Sequence, residues 1–179
     1  MIDPVVELSI CSGLALLFAA AAWHKISDRA RFVAVLRAYE LLPSGLVGPA
    51  TRLFPVLEAS IAVGLLYPPT RRAAALAAGS LLVLYTMAIS LNLVRGRREI
   101  DCGCFAASSR VPLSNWLVVR NIVVIAAACA LLLPIRARAL IWVDGLTIAA
   151  ALITASLLWA AGQRLSHTGP VLRRFGGAQ

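Results

Sequence analysis

Five long stretches of apolar residues, separated by short polar connections, dominate the pattern along the chain. They cover approximately residues 5–23, 53–67, 73–94, 116–133 and 139–161. A helix needs about 20 apolar residues to cross the hydrocarbon core, so most of these stretches can span it, the second being the shortest. Backbone groups must be satisfied within lipid, and the alternation typical of barrel strands is missing. The pattern therefore predicts an all-α fold, a polytopic transmembrane helical bundle of about five spans with a four-helix core plus one.

Composition agrees with this prediction, because 60% of the 179 residues are hydrophobic and only 14% are charged. A soluble domain is far less apolar. We expect one integral membrane domain over residues 1–165, retained in a bacterial inner membrane, with the lipid bilayer as its first partner. The first apolar stretch lacks the basic start of a signal peptide and is interpreted as a retained helix. Residues 166–179, rich in glycine and arginine, predict a flexible basic tail.

The basic residues are distributed unevenly between the two predicted faces of the membrane. Twelve lysines and arginines fall in connections on one face and four on the other, leaving aside Arg120 within a span. The positive-inside tendency then places the N-terminus outside, and the connection after the third span, which carries Cys102 and Cys104, in the cytoplasm. The net charge of +9 has the same origin. It indicates contact with anionic lipid rather than with nucleic acid.

Alternation of the spans brings several polar residues to the same membrane face: His24, Glu58, Asn92, Arg120 and Asn121. Glu58 and Arg120 lie about 8 and 6 Å from the predicted starts of their spans, so the two side chains could pair. A structural ion pair is one interpretation, since ionisable groups inside a span usually face a partner. The other is a polar site beneath the cysteines, in which Arg120 and His24 favour thiolate and Glu58 relays a proton.

The connection between the first two spans contains its own helical pattern. Apolar positions recur among charged ones from Ala30 to Leu42, before Pro43. This spacing predicts an amphipathic helix in the headgroup region, on the face of the cysteine connection.

The segment Asp101-Cys102-Gly103-Cys104-Phe105 carries the clearest chemistry. A bond between Cys102 and Cys104 would close a very small ring, and such strained disulfides are easily reduced. Gly103 would give the backbone the freedom that this ring demands. Redox exchange by the two thiols is therefore one interpretation. The alternatives are a pair of soft-metal ligands for Cu(I) or Zn(II), with only His24 and Asp101 to complete the set, and an unreactive loop.

Two further cysteines lie inside the predicted spans. Cys11 and Cys129 are both about 18 to 20 Å from the cysteine-connection face, a depth that would permit a second thiol pair acting as a relay. Buried cysteine is commonly a small apolar residue instead. Both interpretations stay open from the sequence.

Taken in order, several short motifs resemble the MauE family of membrane proteins over roughly residues 5–135. The motifs are His24-Lys25, Tyr39 with Leu41-Leu42-Pro43, Pro55 with Glu58, Asn92 to Gly96, Asp101 to Phe105, and Arg120-Asn121. The resemblance implies a small DoxX-like helical membrane protein with thioredoxin-like partners. In methylamine-utilising bacteria it implies a role in maturing methylamine dehydrogenase, whose small subunit has many disulfides. Ala106 departs from the glycine usual at its position in the family.

Residues and resemblance together lead to one functional hypothesis, in which Cys102 and Cys104 exchange electrons with a thioredoxin-like protein or a maturing enzyme subunit. Asp101, Gly103 and Phe105 would shape the loop, supported by the polar residues of the same face. The protein would then act as a thiol-disulfide oxidoreductase, with no resident metal and a quinone as one candidate electron partner by analogy with other membrane thiol oxidases. The competing hypotheses are a non-catalytic membrane assembly factor and a metal-handling membrane protein.

Overall fold

A computed structural model of the chain describes residues 2–97, 100, 113–134, 136 and 138–176, with the side chains of Trp159 and of residues 162–176 excluded. The helices in this part are α1 (Pro4–Ser27), α2 (Arg29–Tyr39), α3 (Ser44–Leu66), α4 (Arg71–Val94), α5 (Asn115–Ala130) and α6 (Trp142–Gly176), with a short 3-10 turn at Pro68–Thr70. Across these described ranges there is no β-strand, so the prediction of an all-α membrane protein is confirmed.

Side-chain caps fix the first two helices. The Asp3 carboxylate accepts a hydrogen bond from the backbone N–H of Val5 at 2.9 Å and begins α1. Asp28 ends α1 and then caps α2 by accepting from the N–H of Arg31 at 3.0 Å. An aspartate cap accepts a hydrogen bond from a backbone N–H group that has no acceptor within the first turn of the helix. Because one residue serves both helices, the chain turns sharply from α1 into α2, whose existence the amphipathic pattern predicted.

The second span is longer than its apolar stretch suggested. α3 begins at Ser44, nine residues before the predicted start at residue 53, and includes Pro49 and Pro55. It is one of three helices, with α1 and α4, that are long and apolar enough to cross a membrane. α5 and the first part of α6, Trp142–Leu158, are also apolar but shorter.

Four helices form the core of the bundle. α1 packs most extensively on α3, α4 packs on both α5 and α3, and α6 packs against the outside of α1. This is the four-helix core plus one that the sequence predicted. The core side chains recur every three or four residues along each helix, as in α1 with Cys11, Leu14, Phe18 and Ala22. That spacing places one stripe of each helix against its neighbours.

The connections group at two ends of the bundle. Ile2 exchanges backbone hydrogen bonds with Pro134 and Arg136, at 2.9 and 2.8 Å, and Arg71 pairs with Glu7 at 3.2 Å. The start of α1, the α3–α4 turn and the α5–α6 connection therefore share one end, the N-terminal end. The opposite end carries α2 and is called the α2 end below. This alternation of the helices agrees with the sequence prediction.

The final helix extends further than the apolar pattern. α6 continues to Gly176, so the backbone stays helical beyond residue 165, where the sequence predicted a flexible tail to begin. A domain boundary at residue 165 stays a prediction.

Candidate functional site

A buried ion pair lies near the α2 end of the bundle. Lys25 Nζ of α1 donates to Glu58 Oε1 of α3, and the two residues are 4% and 0% exposed. Taking one partner away from a buried pair typically costs about 3–5 kcal/mol, because the other charge is left uncompensated. The pair therefore holds α1 against α3 in one arrangement.

Aromatic side chains surround this pair. The Tyr85 hydroxyl of α4 donates to the same Glu58 Oε1 at 2.7 Å. Lys25 Nζ lies over the rings of Phe32 and Tyr85, at 5.4 and 5.2 Å from their centroids, within the range of a cation–π contact. Phe54 joins the two rings, with centroids 6.4 Å from Phe32 and 5.9 Å from Tyr85. Four helices thus contribute to one ionic and aromatic cluster.

The other carboxylate oxygen of Glu58 departs from the rule that buried polar atoms form hydrogen bonds. Glu58 Oε2 is buried and has no hydrogen-bond partner among the described residues. A buried oxygen in this state loses the hydrogen bonds of water without replacement, which is costly.

The pairing of Glu58 corrects one prediction from the sequence. Glu58 pairs with Lys25 instead of Arg120, whose guanidinium donates to Asn121 Oδ1 at 3.0 and 3.3 Å. The physical reason lies in the packing, because α5 lies mainly against α4 while α3 lies mainly against α1. The estimate that Glu58 and Arg120 lie at matching depths also failed, since α3 starts well before residue 53.

Lys25 and Tyr85 were missed as site residues. Lys25 was assigned to a connection, yet α1 continues to Ser27, and Lys25 follows Phe18 and Ala22 at the spacing of the buried stripe. Tyr85 follows Leu81 and Leu82 in the same way on α4. Extending each stripe by one turn would have revealed both residues.

Two asparagines are buried on neighbouring helices. Asn92 of α4 is 0% exposed, and its Nδ2 donates to the carbonyl of Ala88 at 3.0 Å. Its Oδ1 has no hydrogen-bond partner within the described part of the chain. Asn121 of α5 is buried beside Arg120. His24, the remaining polar residue predicted for this face, lies in the last turns of α1 next to Lys25.

The predicted redox motif, Asp101, Cys102, Gly103, Cys104 and Phe105, lies outside the described residues. The chain that flanks it is described on both sides. The backbone N–H of Leu113 donates to the carbonyl of Ile100 at 3.2 Å, and Leu113 is buried against Tyr39 and Leu117. Ile100 and Leu113, the described residues on either side of this segment, therefore lie beside each other at the α2 end.

Cys11 and Cys129, the predicted second thiol pair, are both free thiols. Cys11 is 2% exposed in the core, whereas Cys129 is exposed on α5. No disulfide joins them, and a relay between them stays a prediction. Among the residues with described positions, no group of three or more His, Cys, Asp or Glu side chains could hold a metal ion.

A cavity of about 330 Å³ adjoins the ion pair. Its walls come from α2, α3 and α4, with Lys25 of α1 at one side. Its less exposed lining includes three aromatic residues, with Phe32 and Tyr39 buried and Tyr85 half-buried, whereas the α4 residues Leu84, Met87 and Leu91 are exposed. The cavity therefore opens sideways, toward the surface that lipid would cover.

The fold and this site define a class, the multi-pass α-helical membrane proteins with an ionic cluster buried in the bundle. Comparison with known proteins narrows the class. Residues 3–134 match the model of the family described as methylamine utilisation protein MauE. This chain belongs to the MauE family.

Individual relatives support the assignment. The chain is 40% identical over 161 residues to "Methylamine utilization protein MauE" of Methylorubrum extorquens, which covers 89% of this chain and 87% of the relative. The protein of the same name from Paracoccus denitrificans is 40% identical over 131 residues, 73% of this chain and 70% of the relative. No solved structure matches the chain significantly.

Proposed function

We propose that this protein is a membrane thiol-disulfide redox protein that works in methylamine utilisation. Its Cys102/Cys104 pair would exchange electrons with the dithiol of a thioredoxin-like partner or a maturing exported enzyme of the methylamine-dehydrogenase type. Membership of the MauE family is the observation that carries the proposal, because the relatives are named for methylamine utilisation. The two thiols one residue apart supply the chemistry.

The exchange balances as a two-electron step. In the oxidising direction, a thiolate of the partner attacks the Cys102–Cys104 bond and forms a mixed disulfide with one of the two cysteines. A second thiolate of the partner then attacks this mixed disulfide and releases that cysteine. The partner gains a disulfide, while Cys102 and Cys104 take up two electrons and two protons as thiols. The reverse sequence reduces a partner.

Replacement of the cysteines tests this mechanism. The chain is expressed in Paracoccus denitrificans lacking its own relative, and growth on methylamine is measured together with the disulfide content of the methylamine dehydrogenase small subunit. Cys102→Ser and Cys104→Ser should each abolish growth on methylamine and disulfide formation in the small subunit. The amount of the variant protein in the membrane should be unchanged. Cys129→Ser removes an exposed thiol outside the motif, and this variant should retain normal growth and normal disulfide content.

The same experiment separates the competing role. Full growth and normal disulfide content in both Cys102→Ser and Cys104→Ser would reject thiol exchange and would favour a non-catalytic assembly factor. Loss of growth in Cys129→Ser as well would show that the effect is not specific to the Asp101–Phe105 motif.

A further inference from the structure

The cavity beside the Lys25–Glu58 pair has the size and the lining of a ligand site. Its volume of about 330 Å³ falls at the lower end of the roughly 300–1,000 Å³ of small-molecule sites. Such sites combine apolar walls with a few polar groups that orient the ligand. Here the polar groups are the Lys25 ammonium and the phenols of Tyr39 and Tyr85, while Phe32, Val35 and Ile89 are apolar wall residues.

Lys25 has hydrogen-bonding capacity that the described part of the bundle does not use. An ammonium group has three N–H donors. Within the described ranges its hydrogen-bond acceptor is Glu58 Oε1, and the rings of Phe32 and Tyr85 flank the nitrogen. Lys25 is only 4% exposed, so water has little access to the remaining donors. An acceptor oxygen on a ligand in the cavity would satisfy them.

The charge of the cluster selects the kind of acceptor. Lys25 and Glu58 together are neutral, and Glu58 Oε2 is buried without a partner among the described residues. A ligand carboxylate would bring a second negative charge close to this oxygen, which low-dielectric surroundings penalise. A neutral carbonyl oxygen accepts from Lys25 without that repulsion.

The walls and the mouth select the shape of the ligand. Phe32, Phe54 and Tyr85 form a chain of contacting rings, against which a flat ring can stack. The exposed residues Leu84 and Met87 form an apolar mouth on the outer side of α4, through which a long apolar tail can enter the bilayer.

We propose that this cavity binds an isoprenoid quinone of the membrane, with a ring carbonyl accepting a hydrogen bond from Lys25 Nζ and the tail leaving between Leu84 and Met87. The ring lies against Phe32 and Tyr85. This inference goes beyond the proposed function and does not depend on it, because it rests on residues of α1, α2, α3 and α4 alone.

The test measures binding of decylubiquinone to the purified full-length protein in lipid nanodiscs by titration calorimetry, with empty nanodiscs as the blank. Ala88→Phe fills the cavity without changing the ion pair. Ala126→Phe makes the same change on the exposed side of α5 and is the matched control. We expect saturable binding that Ala88→Phe weakens at least tenfold and Ala126→Phe leaves unchanged. The thermal melt of each variant verifies that it is folded.

Two ligand comparisons complete the test. Decylbenzene has the ring and the tail but no carbonyl, and decanoate carries a charged oxygen pair. Decylubiquinone should bind at least tenfold more tightly than either one. Equal binding of decylbenzene, stronger binding of decanoate, unchanged binding to Ala88→Phe, or a signal no larger than that of empty nanodiscs would each overturn the proposal.

Discussion

At the scale of single residues, Lys25 and Glu58 place two opposite charges where most of the bundle is apolar. Desolvation of two charges is expensive, and only close contact with further hydrogen bonds offsets it. The Tyr85 hydroxyl and the two flanking rings supply those contacts. The cluster consequently joins α1, α3 and α4 at one point of the bundle.

Removing one charge of the Lys25–Glu58 pair should destabilise the protein much more than removing both. Lys25→Met leaves the Glu58 carboxylate buried without its partner, so we expect a loss of about 3–5 kcal/mol in the free energy of unfolding. Lys25→Met combined with Glu58→Met replaces the pair by apolar side chains and should recover most of this loss. Unfolding of the purified variants in detergent, followed by circular dichroism, measures the difference.

The exposed ion pair Arg97–Glu40 is the control for that comparison. Arg97→Met should change the free energy of unfolding by less than about 1 kcal/mol, because exposed pairs contribute little. Equal effects of Lys25→Met and Arg97→Met would contradict the assignment of Lys25 to a buried site. The Arg97 guanidinium lowers the pKa of the Glu40 carboxyl through their hydrogen bond.

The sequence could identify Glu58 as a site residue but could not identify Lys25 as its ion-pair partner. A carboxylate within an apolar stretch is conspicuous, whereas Lys25 lies where span and connection meet and its assignment depends on where α1 ends. The end is set by Asp28, whose double capping role depends on the backbone geometry of the turn. Tyr85 has no conspicuous sequence signal, because tyrosine is uncharged and its ring is largely apolar.

At the scale of helices, the contact between α3 and α4 is unusually close at one position. A Cβ atom at Gly64 would lie 3.0 Å from the Cβ of Ala74. Glycine and alanine together therefore let the two backbones approach, as small residues do in membrane bundles. The Thr70 hydroxyl reinforces the turn by donating to the carbonyl of Gly64 at 2.8 Å.

A larger residue at Gly64 should separate these helices. Gly64→Leu is expected to reduce the free energy of unfolding by about 1–3 kcal/mol, because its Cβ would crowd the Cβ of Ala74 and push the two helices apart. Gly48→Leu is the matched control in the same helix, where a Cβ would meet no atom within 4 Å. It should be neutral or mildly stabilising, since leucine favours helix over glycine. Similar melting temperatures of the two variants would contradict the close packing.

The helices themselves followed from the apolar pattern except at their ends. The predicted third span, 73–94, agrees closely with α4, because no other sequence signal competes there. α3 was predicted too short, since the apolar stretch that defined it begins at residue 53, and Arg52 was counted in the preceding connection. Arg52 is exposed on the helix, and a helix can accommodate both prolines, Pro49 and Pro55, when tertiary contacts favour it.

At the scale of the whole molecule, one network closes the N-terminal end. Arg138, before α6, donates to Asp3 at 2.9 and 3.3 Å and to Asp144 at 2.9 and 3.1 Å. Its hydrogen bonds lower the pKa of the Asp3 carboxyl below the ordinary value of 3.8. The first and last helices are therefore connected at this end, where two basic side chains, Arg71 and Arg138, have acidic partners.

The charge distribution predicts which end faces the cytoplasm. Arg72→Cys and Arg95→Cys introduce thiols at opposite ends of α4, each in a protein whose native cysteines are serine. Both positions are exposed, and each change removes one arginine. With an impermeant maleimide and an intact inner membrane, we expect labelling of Arg72→Cys at once and of Arg95→Cys only after permeabilisation. The opposite result would invert the proposed orientation.

The salt bridge between α1 and α3 also bears on how the chain enters the bilayer during synthesis. A lone acidic or basic residue deep in a helix opposes transfer from the translocon into lipid by about 2.5–3.5 kcal/mol. Glu58 imposes such a penalty on α3, which already carries Arg52 near its start. Release of α3 into the membrane is therefore expected to wait for docking on α1, making this helical hairpin the first unit of biogenesis.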